Sequence, residues 1–64
     1  MKNFLKQVLD ERQINQKQLA QESGLTESAI SRYIKNDRKP NGDAMLKIAK
    51  ILNCNVEDIW KLEE

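Results

Sequence analysis

Hydrophobic residues recur every three or four positions along most of the 64-residue chain, a spacing that places them on one face of an α-helix. The pattern predicts five helices, over residues 3–12, 16–23, 27–35 and 42–52 and from 56 to 60 or 62. β-branched residues do not cluster, and the chain has one proline and two glycines. We therefore expect an all-α fold, a compact five-helix domain spanning residues 1–64.

Residues 16–35 have the features of two short helices joined by a tight turn. Gly24 stands where the chain leaves the first helix, a position that often needs a positive φ and suits glycine. Thr26 is a good N-cap for the second helix, since its hydroxyl can accept a hydrogen bond from a first-turn amide. Ala20 is small where two steeply crossing helices approach most closely. This arrangement is a helix-turn-helix at helices 2 and 3.

The helix over residues 27–35 has two faces. Ile30, Tyr33 and Ile34 follow the spacing of a buried stripe. The opposite face is polar and carries Glu27, Ser28, Ser31, Arg32 and Lys35. Such side chains can read base edges in a DNA major groove, because Arg pairs with guanine and Glu can accept from cytosine. A merely solvated helix face is the alternative, and the glycine and the N-cap in register beside this helix favour DNA reading.

Residues 16–40 resemble the helix-turn-helix of the phage repressor/Cro family, the Xre-type transcriptional regulators. The matching residues are Gln16, Leu19, Ala20, Gly24, Leu25, Ile30, Ser31, Arg32 and Pro40. A weaker similarity continues through Met45, Ile48, Ala49, Leu52, Val56 and Ile59. Gly42 departs from the family, which more often has an apolar residue there.

The resemblance implies a regulator that places the helix 27–35 in the major groove of double-stranded DNA. The residues it assigns to base reading are Glu27, Ser28, Ala29, Ser31 and Arg32. Those it assigns to phosphate binding are Gln16, Thr26, Lys35, Asn36, Arg38 and Lys39.

One pair of positions differs from many family members, which join an Arg of the first helix to a Glu near the end of the recognition helix. The matching residues here are Leu9 and Ile34, both apolar. One ion left alone would be a buried unpaired charge, whereas exchanging both partners can be neutral or stabilising. We therefore predict that Leu9 and Ile34 touch in the core.

Asparagines mark the predicted helix boundaries. Asn3, Asn15 and Asn55 are predicted N-caps of the first, second and last helices. Asn36 and Asn53 are predicted to close the third and fourth helices in the left-handed conformation. Among residue types, only Gly suits this conformation better than Asn.

The charge is nearly balanced, with a formal net value of +1, so the strong basicity typical of nucleic-acid binders is absent. Its distribution is uneven. Between residues 28 and 42 the single acid Asp37 is outnumbered by Arg32, Lys35, Arg38 and Lys39. The C-terminal end instead gathers the acids Glu57, Asp58, Glu63 and Glu64. This polarity would orient the molecule on phosphate while keeping non-specific binding weak.

Several kinds of chemistry are not expected. One cysteine and no histidine exclude an intramolecular disulfide and an ordinary zinc site, and Cys54 is predicted to be a small core residue. Without a histidine or paired acids, an enzyme is not expected, and no cofactor or small-molecule ligand is indicated. The chain has no apolar run long enough for a membrane span, and its N-terminus is unlike a signal peptide. We expect a cytoplasmic protein.

One helix in one groove covers few base pairs, so we expect a homodimer on a palindromic operator, with half-sites roughly 34 Å apart. The residues predicted for the dimer interface are Ile51, Asn55 and Trp60. Trp60 follows the inward Ile59 and is therefore expected to face partly outward, as a contact residue. A core position for Trp60 is the alternative, because so small a helical domain has few large apolar residues. A small single domain can block a promoter simply by occupying it, so we expect a repressor rather than an activator.

The alternative is a protein-interaction module of the same fold, either antitoxin-like or a co-regulator. Glu27 and the low net charge favour this alternative.

Overall fold

The computed structural model describes residues 2–62, which form five helices and one pair of short strands. The helices are α1 (Leu5–Arg12), α2 (Gln16–Ser23), α3 (Glu27–Ile34), α4 (Gly42–Ile51) and α5 (Val56–Ile59). The strands are β1 (Lys2–Asn3) and β2 (Trp60–Lys61). The predicted five-helix architecture is thus confirmed, with a small sheet added to it. The acids Glu63 and Glu64 lie outside the described residues.

Apolar side chains from all five helices meet in one core. The largest fully buried side chains are Leu5, Leu19, Ile30, Ile48, Leu52 and Ile59. Burying a side chain of this size is worth about 1.5–3 kcal/mol relative to leaving it exposed. Helix α2 packs against both α3 and α4, so the helix-turn-helix is held from behind by the fourth helix. Cys54, predicted for the core, is half-buried at its edge.

Side-chain caps begin the second, third and fourth helices. Asn15 and Gln18 form a capping box, in which Asn15 Oδ1 accepts from the Gln18 amide at 2.8 Å and Gln18 Oε1 accepts from the Asn15 amide at 3.0 Å. Asn41 Oδ1 accepts from the Ala44 amide at 2.8 Å and opens α4. Each bond satisfies an amide that has no partner within its own helix. The prediction for Asn15 is confirmed, and Asn55 likewise occupies the N-cap position of α5.

A residue with a positive φ follows each of the first four helices, at Gln13 (58°), Gly24 (75°), Asn36 (63°) and Asn53 (56°). This conformation turns the chain back, so that the next amides can reach the free carbonyls of the last helical turn. The amides of Ile14, Asp37 and Cys54 each donate to the carbonyl five residues earlier, at 3.0 Å. The left-handed ends predicted at Asn36 and Asn53 are confirmed.

The two strands join the ends of the described chain. They pair antiparallel, with Lys2 opposite Lys61 and Asn3 opposite Trp60, and the Phe4 amide donates to the Ile59 carbonyl at 2.7 Å. The prediction that the first helix starts at Asn3 is therefore wrong, because strand pairing keeps this residue extended. Asn3 Oδ1 nevertheless accepts from the amide of Leu5, the first residue of α1, at 2.9 Å.

The expectation that Trp60 faces outward is also wrong. Helix α5 ends at Ile59, short of the predicted end at residue 60 or 62, and the chain continues as a strand. Successive side chains of a strand point to opposite faces, so Trp60 turns inward while Lys61 stays exposed. The Trp60 side chain is 4% exposed. Its indole Nε1 has no hydrogen-bond partner among residues 2–62.

Leu9 and Ile34 lie on the same small hollow between α1, α2 and α3, which Ile14 and Gln16 also line. Leu9 is 3% exposed, and Ile34 is half-buried against the core. This placement is consistent with the predicted contact between the two side chains.

A double-mutant cycle tests that contact. Leu9→Arg should lower the free energy of unfolding by about 3–5 kcal/mol, because it places an unpaired charge in the core. Ile34→Glu should cost less, since that position is partly solvated. If the two residues face each other, the double variant should recover stability relative to the sum of the single losses.

The measurement is urea unfolding followed by helical circular dichroism. Should Leu9→Arg alone be unfolded, the return of helical signal in the double variant gives the same answer. Strictly additive losses would show that the two side chains do not meet.

Candidate nucleic-acid interface

The turn between α2 and α3 is fixed by backbone conformation and by one buried hydroxyl. The Gly24 amide donates to the Ala20 carbonyl at 3.0 Å, and its φ of 75° lies in a region that residues with a Cβ rarely adopt. Ser23 is buried. Its Oγ accepts from the Leu25 amide at 3.2 Å and donates to the Ala20 carbonyl at 3.3 Å. The predicted turn at Gly24 is confirmed, with Ser23 as an additional support.

Thr26 opens α3 as predicted. Its Oγ1 accepts from the Ala29 amide at 3.0 Å, while its carbonyl accepts from the Ile30 amide at 3.1 Å. Glu27 follows in the first turn, where a negative charge interacts favourably with the helix dipole. Glu27 therefore has a structural reason to stand at this position, besides any contact with a base.

The two faces of α3 are as the sequence predicts. Ile30 is fully buried and Tyr33 is 5% exposed, while Ile34 is half-buried. On the opposite face Ser28, Arg32 and Lys35 are exposed. At 100° per residue these three lie within an arc of about 60°.

The five predicted base-reading residues divide by exposure. Glu27, Ser28 and Arg32 are exposed, whereas Ala29 and Ser31 are half-buried. Ala29 and Ser31 occupy opposite margins of the exposed arc. A duplex lying against this face would meet Ser28 and Arg32 first, with Ala29 and Ser31 at its edges.

The predicted phosphate-binding residues flank α3. Thr26 and Arg38 line one hollow beside its N-terminal end. Gln16, half-buried at the start of α2, shares the other hollow with Ile34, at the C-terminal end of α3. The remaining members of the set are exposed on the chain that leaves α3, at Lys35, Asn36 and Lys39.

The cations of this segment are not neutralised within the described chain. Over residues 2–62 the ion pair formed is that of Lys47 with Asp43, at 3.1 Å on the exposed side of α4. Asp37 donates its backbone amide to the Arg32 carbonyl at 3.0 Å, which fixes the helix end without engaging the guanidinium. Arg32, Lys35, Arg38 and Lys39 thus face solvent as positive charge.

The residues predicted for a dimer interface are not all accessible. Asn55 is exposed and Ile51 is half-buried, beside a hollow that Glu22 and Lys50 also line. Trp60 is buried. The prediction that Trp60 belongs to an exposed contact surface is therefore wrong, because the last helix ends at Ile59 and Trp60 lies in a strand instead.

Three supporting contacts are not among those predicted from the sequence. Asn41 caps α4, and an Asn three residues before the first apolar residue of that helix, Ala44, is a signal that the sequence does contain. Arg12 Nε donates to the Leu52 carbonyl, 40 residues away in sequence, at 2.9 Å. Asn3 Nδ2 donates to the Tyr33 carbonyl. These last two contacts depend on packing between distant segments, which no local pattern reveals.

Among residues 2–62 no group of three or more His, Cys, Asp or Glu side chains is placed to hold a metal ion. Burial raises the pKa of the Cys54 thiol, with the Asp58 carboxylate adding to this effect and Arg12 opposing it, so the thiol stays protonated at neutral pH. None of the helices in this part of the chain combines the length and apolar character needed to cross a bilayer.

Comparison with known proteins identifies related sequences. The family model of the Cro/C1-type HTH DNA-binding domain matches residues 4–64. An uncharacterised HTH-type transcriptional regulator of Rickettsia prowazekii is 32% identical over 65 residues, covering 95% of this chain and 71% of that protein. A second such regulator, from Rickettsia conorii, is 31% identical and is matched over 95% of this chain and 60% of its own length.

Two substitutions at Gly24 test the turn. A Cβ at this position would meet no atom within 4 Å, so the cost of Gly24→Ala should come from the left-handed backbone alone, about 1–2 kcal/mol. Gly24→Asn should lose less, because Asn tolerates this conformation better. Both are read from urea unfolding, and an Ala variant as stable as the parent would show that the turn does not need a positive φ.

Proposed function

The chain belongs to the family of Cro/C1-type HTH DNA-binding domains, and we propose that it is a transcriptional repressor that binds a palindromic operator as a homodimer. The observation that carries the proposal is the two-sided helix α3. Its apolar face is anchored by Ile30, and its polar face, with Ser28 and Arg32, is open to solvent.

Base reading is assigned to the exposed face of α3. Arg32 can donate two hydrogen bonds to guanine, Ser28 suits several base edges, and Glu27 can accept from cytosine. Ser31 and Ala29, at the margins, come close enough for a further polar contact and for a thymine methyl group. The N-terminal cap at Thr26 and the left-handed residue Asn36 hold both ends of this short helix while it lies in the groove.

Phosphate binding is assigned to the residues around α3. Arg38 and Lys39 extend the positive charge along the segment that follows the helix, and Lys35 continues it from the helix end. Gln16 lies at the N-terminus of α2, where free amides suit an anion. Such contacts fix the register of the protein on DNA without reading its sequence.

The alternative, a protein-interaction module with little DNA binding, rests on Glu27 and on the small net charge. The position of Glu27 in the first turn of α3 gives its carboxylate a stabilising role in the helix, so it need not oppose DNA. We therefore favour the DNA-binding function. The family is likewise one of DNA-binding domains and not a class of enzymes. Because its partner is chromosomal DNA, we place the protein in the cytoplasm.

A homodimer follows from the size of one reading helix. Eight residues of α3 reach only a few base pairs, and two copies on half-sites roughly 34 Å apart multiply affinity and discrimination. With Trp60 buried, we assign the contact between the two copies to the surface around Ile51 and Asn55.

Arg32→Ala and Lys39→Ala distinguish the two kinds of DNA contact. After a random-site selection has identified the preferred duplex, Arg32→Ala should weaken binding to it by about 1–3 kcal/mol and relax the preference at one base pair. Lys39→Ala should weaken all sequences alike and reduce the slope of log affinity against log salt by about one.

Fluorescence anisotropy titrations over a range of salt concentrations measure both effects. Lys2→Ala, which removes one positive charge from β1, is the control for charge alone. Wild-type protein that binds no duplex at low ionic strength would support the interaction module instead.

The dimer is tested by mass in solution. Sedimentation at micromolar concentration, with and without the selected duplex, should give two copies of the 7.5 kDa chain per complex. Ile51→Arg should shift the protein toward monomer, whereas Leu46→Arg, at a 65% exposed position on another face of α4, should not. A strict monomer in both conditions contradicts the proposal, and a reversed pattern of the variants would place the interface elsewhere.

A further inference from the structure

We propose that Asn3 is a positioning residue for DNA reading: its side-chain amide holds the C-terminal end of α3, and the strand pair β1–β2 holds Asn3. This inference rests on the function proposed for α3. Asn3 lies 30 residues before Tyr33 in sequence and belongs to no part of the helix-turn-helix.

The contact is made at the end of the helix that needs it. The last carbonyls of a helix have no amide partner within it. The Tyr33 carbonyl is one of them, and it accepts both from the Asn36 amide, at 3.2 Å, and from Asn3 Nδ2. The second bond comes from outside α3 and ties the helix to a different part of the molecule.

Asn3 is itself fixed by a side-chain hydrogen bond and by the backbone pairing around it. Its Oδ1 accepts from the Leu5 amide at 2.9 Å, so both polar atoms of the side chain are used and the amide has a single orientation. Its backbone pairs with Trp60, and the next amide, that of Phe4, donates to Ile59. The Asn3 side chain therefore links the start of α1 to the end of α3 through two hydrogen bonds.

The hydrogen bond from Asn3 lies close to the proposed base-reading residue Arg32. Tyr33 directly follows Arg32, and α3 has only eight residues, a length of about 12 Å. Its N-terminal end is fixed by Thr26 and its C-terminal end by Asn36 and Asn3. Releasing one attachment at the C-terminal end allows the last turn, which carries Arg32 and Lys35, to tilt or fray. Hydrogen bonds to base edges weaken steeply with such misalignment.

A purely structural role makes a different prediction, and the chain offers a matched control. Arg12 makes the same kind of bond, from a side chain near the N-terminus to a carbonyl at the end of α4, Leu52. Helix α4 carries none of the proposed base-reading residues. Loss of the Arg12 bond should therefore lower stability without changing which sequence is read.

The test compares Asn3→Asp and Asn3→Ser with Arg12→Met. Asn3→Asp keeps the acceptor for the Leu5 amide but loses the donor to Tyr33. Asn3→Ser is neutral and keeps a good acceptor for that same amide, but its side chain is too short to reach Tyr33. The serine variant keeps the test valid if the aspartate variant does not fold. Affinity is measured for the selected duplex and for a scrambled duplex, at a temperature where every variant is fully folded.

Both Asn3 variants should lower the ratio of the two affinities by about tenfold, the scale of one impaired base contact. Arg12→Met should leave the ratio within about twofold. The ratio is informative because the added charge of Asn3→Asp weakens binding to both duplexes alike. Amide hydrogen exchange of the free protein should speed up across residues 32–36 in the Asn3 variants and not in Arg12→Met.

An unchanged ratio together with unchanged exchange of α3 amides would overturn the proposal and leave Asn3 as a stabilising residue only. If the wild-type protein selects no duplex sequence, the proposed function fails. The exchange measurement then still decides whether Asn3 holds α3, so the two failures are distinguishable.

Discussion

The structure depends on the satisfaction of hydrogen-bonding groups at the ends of its helices. The first four helices have only eight to ten residues, a length that is marginal for an isolated helix in water. Each of the four ends with a left-handed residue, and α2, α3 and α4 begin with a side-chain cap. These bonds fix where each helix begins and stops, and therefore where the chain turns toward the next helix. The shared core then stabilises helices that would not persist separately.

The two-sided character of α3 follows from this frame. The caps at Thr26 and Asn36 fix where α3 begins and ends, and the burial of Ile30 fixes its rotation about its axis, so Arg32 stays outside. The positive charge of the segment after α3 lies next to this face, while the ion pair of Lys47 and Asp43 forms on α4. A chain with a formal net charge of +1 can thus present a locally positive surface, because its charges are separated in space.

The sequence predicted the features that depend on local chemistry. Gly24 at the turn, the caps at Asn15 and Thr26, and the left-handed ends at Asn36 and Asn53 all use residue types that suit their positions. Gln13 adopts the same left-handed conformation, but Gln is not a residue type that favours it, so the sequence does not predict it. The strand pair was missed because two-residue strands carry no periodicity and join residues far apart in sequence. That one omission explains the errors at Asn3 and at Trp60. The assignment of individual residues to bases and phosphates remains a prediction from the family resemblance and from the exposed face.

The antiparallel pairing of β1 with β2 has a mechanical consequence. Lys2 and Lys61 form the outermost pair, followed by Asn3 and Trp60, so the two ends of the described chain leave the domain side by side. Tension applied between these ends would load the ladder as a zipper, opening one pair of residues at a time from the outside. The second pair to yield contains Asn3, whose side chain is bonded to the end of α3. A pull on the two ends therefore reaches the attachment of α3 at the same pair that contains the buried Trp60, before it reaches the packed helices.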